Sequence, residues 1–374
     1  MRKFSRTCFR HTPPSPWPTY GHRALGAAGA LASRRAERTG RCPLLAAPTA
    51  VPASGGSRRT VATAASPDTD PSARRAGAAA GVAESVGAQE PIRLVALDID
   101  GTLLDSQRRV RPRVREAVAK ASVSTPVILS TGRCPAAART LATLPTAGGV
   151  FLGGALALGP EDRLIWEQLL APEVVAEVLA FARGHPELTP VLIHGDEFRC
   201  VEFDKWTDWL TAVGDPAPAA VGWSGLERET GRVHLVALLG EECRIQAAAP
   251  EVSQLLEGTA AQVVQPLPFL LDIVPRIQAD SNQLGGKAAG LHAITTALGI
   301  PREVVMAVGD SGNDLDMFRW AGWAVAMGNS SPPALAAADV VVASNDDDDC
   351  PGVAEAIERF VLQRERRSLR GGGE

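Results

Sequence analysis

The stretch LVALDIDGTLLDS, Leu94 to Ser106, ends an apolar run on two aspartates, Asp98 and Asp100, with Gly101 directly behind them. Two later apolar runs also end in polar groups: PVIL leads into Ser130, Thr131 and Gly132, and EVVMAVG into Asp310, Asn313 and Asp314. Carboxylates that converge on one point repel one another, and the arrangement is costly unless a cation neutralises it. A hard divalent ion is implied. Mg2+ takes oxygen ligands, commonly one or two carboxylates with water and a phosphate oxygen. Asp98 and Asp310 are suitable carboxylates, and the Asp100 carbonyl can add a third ligand. Gly101 lets the chain turn and expose N–H groups to an anion. Thr131 offers a hydroxyl, Gly132 permits close backbone approach, and Lys287 contributes a compact positive charge. Composition marks that lysine out: the chain has 34 arginines but only four lysines, Lys3, Lys120, Lys205 and Lys287. A chain that uses arginine almost everywhere carries lysine where a point charge suits a phosphate. Together these groups outline a phosphoryl-transfer site, which works by positioning and by stabilising charge.

The elements needed to gather them are legible. IRLVALD and PVILS read as strands buried on both faces, and VRPRVREAVAKA as an amphipathic helix between them. After an interruption the alternation resumes: KAAGLHAITTALGI helix, EVVMAVGD strand, NDLDMFRWA helix, AVAMG strand, PPALAAA helix, DVVVA strand and GVAEAIERFVLQR helix. Such alternation predicts an α/β fold with a doubly wound parallel sheet. Ligands sit beyond the carboxyl ends of such strands, where the three polar segments fall.

The N-terminal part reads differently. Before Asp68 it holds ten arginines, Lys3 and a single acid, Glu37, among Ala, Ser, Thr, Pro and Gly. That composition predicts an organelle transit peptide and linker over residues 1–89, for a chloroplast, with the mitochondrion as the alternative. A disordered basic tail is the competing interpretation. The remaining chain is acidic, which disfavours nucleic-acid partners. No apolar run reaches a membrane span, so the protein reads as soluble. The six cysteines show no C-x-x-C pair and indicate neither a zinc site nor a disulfide framework.

DIDGTLLDS, STGR, the lysine of GGKAAGL, and VGDSGNDLDMF followed by AMGNSSPPALAAADVVVASNDDDD together resemble the haloacid dehalogenase superfamily, specifically Cof-type phosphatases with a large C2-type cap. The resemblance implies that Asp98 attacks phosphorus to form an aspartyl-phosphate, and that Asp100 serves as acid and then base. It further implies that Thr131, Gly132, Lys287 and Asn313 hold the phosphoryl group. By the same resemblance Asp98, Asp100, Asp310 and Asp314 are expected to form the Mg2+ site. The hydroxyl role goes to Thr131 rather than Ser130, because the family's hydroxyl directly precedes Gly-Arg. Arg133 either touches substrate or braces its loop, and Cys134 reads as a small buried residue. The run Asp346 to Asp349 reads as a solvated loop rather than a second metal site.

Spacing locates the inserted cap. About thirty residues separate Asp98 from Thr131, room for one helix and one strand, whereas more than 150 separate Thr131 from Lys287. The expected division is a Rossmann-like core over 90–155 and 272–374 and an α+β cap over 156–271, which sets substrate choice. Within it RLIWEQ, PVLIHG, FRCVEF, RVHLVALLG and AQVVQ read as strands, PEVVAEVLAFARG and PEVSQLLEG as helices. Trp206, Trp209, His194 and Arg199 are cap residues to test. Two departures stand out. GGA replaces the family's usual Asn-Gly-Ala, with Gly154 read in the asparagine's place, and the connection IVPRIQADSNQLGGK is longer than usual. The expected activity is Mg2+-dependent hydrolysis of a small phosphorylated metabolite: a sugar phosphate, FMN or a flavin precursor, or pyridoxal phosphate. Alternatives are a phosphomutase on the same core and a noncatalytic ligand-binding protein. Nothing in the sequence chooses between monomer and homodimer.

Overall fold

A computed structural model describes residues 90–276 and 285–363. Residues 1–89, on which the expected transit peptide falls, and most of the long connection before Lys287 (277–284) lie outside the described residues.

The strands of one sheet are β1 (Leu94–Leu97), β2 (Val127–Ser130), β3 (Gly149–Phe151), β4 (Leu156–Leu158) and β5 (Leu164–Glu167). The next six, β6 (Thr189–His194), β7 (Glu197–Cys200), β8 (Ala219–Ala220), β9 (Leu235–Leu239), β10 (Ala261–Leu267) and β11 (Leu270–Pro275), form a second sheet. The chain then returns to the first with β12 (Val305–Gly309), β13 (Trp323–Ala326) and β14 (Val340–Val341).

The first sheet has the order β14-β13-β12-β1-β2-β3-β4-β5. It is parallel from β14 to β3, and β4 and β5 add antiparallel edge strands. Side chains alternate across β1 as a strand's period of two requires. Leu94 and Ala96 pack with Leu291, Ile294, Met317 and Phe318 from helices Gly286–Leu298 and Leu315–Trp320. Val95 and Leu97 face the other way, with Val114, Val118, Val353 and Ile357 from helices Pro112–Ala121 and Gly352–Ile357. Helices therefore cover both faces, and the doubly wound core expected from the sequence is what forms.

The second sheet has the order β10-β11-β9-β6-β7-β8 and is antiparallel except for β7 with β8. Leu192, Val236, Leu238 and Ile273 bury one face under helices Pro172–Gly184, Gly222–Arg228 and Glu242–Leu255. Val191, Ile193, Leu235 and Ala237 point the opposite way, into a cluster shared with Leu152, Ala155 and Leu156 of the core. The cap thus closes with a sheet face toward the core. Among the described residues no helix is long and apolar enough to cross a membrane.

The boundaries differ from expectation. RLIWEQ forms a strand, but β4 pairs with β3 and β5 with β4, which extends the core sheet, so 156–167 belongs with the core rather than the cap. The chain crosses over 168–171, and the cap continues past 271 because β11 runs to Pro275 and joins β9 to β10. Spacing could not see this, since a hairpin added to a parallel sheet has the same alternation as one in a cap. LLDIVP as a strand and Lys205–Ala212 as a helix were also missed. That helix carries its own start signal, a capping box in which Asp204 accepts from Thr207 N.

Candidate active site

The register of the central strands assembles the site. Leu97 of β1 pairs with Val308 of β12 on one side and Leu129 of β2 on the other. One residue further on, Asp98 follows the end of β1 while Gly309 and Ser130 are the last residues of β12 and β2, so Asp310 and Thr131 leave the sheet beside it.

Asp98 is 4% exposed, Asp314 0% and Lys287 1%. Lys287 Nζ donates to Asp98 Oδ1 and to Asp314 Oδ1, both at 2.6 Å, and to Asn313 Oδ1 at 3.2 Å. Burial opposes the lysine's charge, but the Asp314 and Asp98 carboxylates outweigh it and hold the ammonium above its ordinary range. Burial raises the Asp98 carboxyl well above its ordinary value; Lys287 pulls it down, and Asp314 and Asp310 push it up again. Burial and Asp314 likewise take Asp310 up to about 6.

Ligand atoms of Asp98, Asp310 and Asp314 lie within 4.8 Å of one another. Three carboxylates against one ammonium leave the cluster short of two positive charges, and its donors are all oxygen. Those are the needs a hard divalent cation meets. Asp314 is largely committed, since Oδ1 receives Lys287 and Oδ2 receives the backbone N–H groups of Asp310 and Ser311 at 2.9 and 3.0 Å. Its part is to hold Lys287 and the Asp310 loop, which leaves Asp98 and Asp310 better placed for the cation. Asp100 is not part of this cluster and both its carboxylate oxygens are engaged by Arg133, which leaves its backbone carbonyl as the candidate ligand.

That carboxylate faces Arg133, which donates from Nε at 2.6 Å and from its second terminal nitrogen at 2.9 Å. Arg133 also reaches the cap, with one amine 3.3 Å from the Val213 carbonyl and 3.8 Å from Asp215. It therefore braces Asp100 and touches the cap at once. Thr131 is buried, and its Oγ1 accepts from Arg133 N at 3.2 Å, while Gly132 is exposed beside it. The Ser130 hydroxyl is buried and makes no hydrogen bond among the described residues. Burial pushes the Cys134 thiol up to about 12, which suits a structural residue.

Gly101 has φ 84, and a Cβ there would run into the Asp310 carboxylate. The glycine is required by close approach as much as by the turn. Sequence reasoning missed three supports of this loop. Thr102 Oγ1 donates to Asp310 Oδ1 at 3.1 Å, Asn329 Nδ2 donates to the Gly101 carbonyl at 2.7 Å, and Asn345 Nδ2 to the Leu104 carbonyl at 2.7 Å. The two asparagines lie more than 200 residues away, inside the segment AMGNSSPPALAAADVVVASNDDDD, and only the fold shows which carbonyls they reach.

The junction glycines need correction too. Aligned residue for residue with Asn-Gly-Ala, it is Gly153 that takes the asparagine's place. It has φ 64 and ψ 18, and open space where a side chain would go. Gly154, at φ 109, packs against Gly286, and a Cβ would collide with that carbonyl at the start of the Lys287 helix. Gly153→Asn is expected to change stability by less than about 0.5 kcal/mol, since asparagine tolerates the left-handed region. Gly154→Ala should displace Lys287 and lower activity at least about tenfold. Parallel activity and thermal melts check both, and equal behaviour of the two variants would refute the assignment.

In the cap, Trp206 stacks on Phe269 at 5.6 Å and Trp209 meets the same ring edge-on at 5.0 Å, so both serve packing. Arg199 pairs with Glu197 along its hairpin. Asp346 and Asp348 bind the Ser106 N–H and Arg111, in keeping with a structural loop.

A family profile described as haloacid dehalogenase-like hydrolase matches residues 95–357. The chain is 29% identical over 273 residues to a phosphoglycolate phosphatase of Archaeoglobus fulgidus, covering 73% of this chain and 98% of that one. It is 27% identical to the 5-amino-6-(5-phospho-D-ribitylamino)uracil phosphatase YcsE of Bacillus subtilis, covering 72% and 96% respectively. A crystal structure of a haloacid dehalogenase-like hydrolase from Bacteroides thetaiotaomicron superposes with a TM-score of 0.63 at 28% identity, over 72% of this chain and 99% of that one.

Proposed function

The chain belongs to the haloacid dehalogenase-like hydrolases, and from that membership and the site geometry we propose a Mg2+-dependent phosphatase that cleaves a small polyhydroxylated phosphate ester through an aspartyl-phosphate on Asp98. The observation that carries this reading is Lys287, buried between Asp98 and Asp314 just beyond the end of a central core strand.

Asp98, Asp310 and the Asp100 carbonyl would hold the cation, which when bound neutralises carboxylate charge and polarises the phosphoryl oxygens. The chain's own groups do the rest. An Asp98 oxygen forms a bond to phosphorus as the ester P–O bond breaks, and the departing alkoxide takes a proton from Asp100. A water then attacks phosphorus, gives its proton to Asp100, and the bond to Asp98 breaks to release phosphate. Lys287 opposes the burial that raises the Asp98 carboxyl and orients it, Thr131 and Asn313 offer hydrogen bonds to the phosphoryl oxygens, and Arg133 returns Asp100 to one position between steps.

The cap supports the substrate class. Asp272 on β11 lies on the sheet face turned to the core, beside Asp215, and burial with the Asp215 charge raises it to about 7. Burial likewise raises Asp215, although Arg133 pulls it down. Paired carboxyls bind hydroxyl groups well and repel a second anion, which favours sugar phosphates and ribityl phosphates over pyridoxal phosphate or a phosphorylated carboxylic acid. The relative acting on 5-amino-6-(5-phospho-D-ribitylamino)uracil is in line with that choice. Phosphate release across sugar phosphates, FMN, ribityl phosphates, phosphoglycolate and pyridoxal phosphate, with Mg2+ or EDTA, tests it. Mg2+-dependent release led by polyhydroxylated esters is expected; phosphoglycolate as the preferred ester would overturn the substrate class, and no release from any ester would overturn the activity.

A further inference from the structure

Besides the acidic cluster, the described residues bring together a second set of metal-ligating side chains, Glu167, His194 and His234. Glu167 is the last residue of β5, from which the chain crosses into the cap; His194 ends β6, and His234 directly precedes β9. Their donor atoms lie within 4.8 Å of one another. His234 Nε2 is 3.3 Å and His194 Nε2 3.6 Å from the same oxygen, Glu167 Oε1. Two donors on a tetrahedral Zn2+ with bonds near 2.0–2.2 Å stand about 3.3–3.5 Å apart, so only small movements separate this arrangement from a coordination shell.

A second observation points to a ligand. His234 is 1% exposed, yet its Nε2, aimed at the other two groups, makes no hydrogen bond among the described residues. The two imidazoles stack with centroids 4.9 Å apart, which keeps both rings on one side of the carboxylate. Glu167 and His194 side chains are 33% and 24% exposed, so an ion has a path in.

We propose that Glu167, His194 and His234 form a second metal site, for a divalent transition ion such as Zn2+, that clips the last core strand to the cap sheet. Two imidazoles and a carboxylate with one position left for water suit Zn2+, whereas Mg2+ prefers the all-oxygen cluster. Burial first, and His194 second, push the His234 ring down to about 4, so it is neutral as a ligand must be. One contact must change. Gly195 N–H points at His234 Nδ1 at 3.2 Å, so that nitrogen accepts and the ring's proton sits on Nε2. Metal capture moves the proton to Nδ1 and turns the Gly195 N–H aside. Gly195, at φ 57 with open space around it, sits in the turn between β6 and β7 where such a shift is accommodated. Because core and cap are joined through residues 168–171 immediately after Glu167, the ion would restrain the hinge on which cap opening depends.

The test uses the full chain without an affinity tag, stripped of metal and then held in excess Mg2+. Adding one equivalent of Co2+ should give the intense visible absorption of a four- or five-coordinate site with nitrogen ligands. Zn2+ should abolish that band and raise the melting temperature. Glu167→Gln and His194→Gln, both at partly exposed positions, should each lose the band and the Zn2+ shift; Asp310→Asn should keep them. No band in the unaltered protein, a band that survives both hinge variants, or one that disappears with Asp310→Asn would overturn the proposal.

Discussion

Asp98→Asn is expected to lower phosphate release by at least about 10^4-fold, the scale seen when a nucleophile is deleted, while the protein keeps or gains thermal stability. The two halves of that expectation have one cause. Asp98 is held almost out of water beside Asp310 and Asp314, and both burial and those neighbours make its charge costly. An amide of the same shape keeps an oxygen for Lys287 Nζ, which still has Asp314 at 2.6 Å. It removes one negative charge from a cluster short of positive charge, so repulsion falls as function is lost. Phosphate release under saturating Mg2+, paired with thermal melts in EDTA, reads both. Activity within tenfold of the unaltered protein would remove the covalent step, and a melting temperature several degrees lower would show that Asp98 is structurally needed.

The parts of this site legible in the sequence are those carried by short apolar runs ending in unusual residues. VALD, VILST and VMAVGD are each a buried strand followed by groups no strand would bury for stability, so the strand ends, the doubly wound core and the converging carboxylates could be read directly. Lys287 was legible for a different reason, its rarity against 34 arginines. What stayed hidden depends on long-range register. Asn329 reaches the Gly101 carbonyl from 228 residues away, and the Asp215 charge acts on Asp272 although they lie on separate elements of the cap. The hairpin of β4 and β5 was assigned to the wrong domain because alternation tells a strand's faces, not its sheet. Gly154 was read in the asparagine's place, whereas its missing Cβ is what admits the Gly286 carbonyl and sets Lys287 in place.

Removing that lysine should be the most damaging single change to the fold at this site. In Lys287→Met the side-chain volume is nearly kept, but Asp98 and Asp314 lose their shared ammonium at positions 4% and 0% exposed. Taking one partner from a buried ion pair costs roughly 3–5 kcal/mol because the other charge stays desolvated, and urea denaturation in EDTA at pH 7 should show a loss of that order. The pH dependence identifies the cause. A carboxyl whose folded pKa is raised binds more protons in the native state than in the unfolded one, so it destabilises above the folded pKa and the deficit disappears as pH falls toward the unfolded value. Asp310, already near 6 against an ordinary 3.8, gives the metal-free protein such a slope between about pH 6 and 4. Without Lys287 the Asp98 carboxyl rises further, and the variant should regain stability relative to the unaltered protein as pH falls from 7 to 5. Mg2+ should recover part of the loss at pH 7, since a dication replaces some of the missing charge. Lys287→Arg keeps a cation but not its compact shape, and is expected to retain more stability than the methionine variant while losing most activity. A methionine variant as stable as the unaltered protein at pH 7 in EDTA would mean that Asp98 and Asp314 do not both carry charge there, and the ammonium would then hold a phosphate rather than a pair of carboxylates.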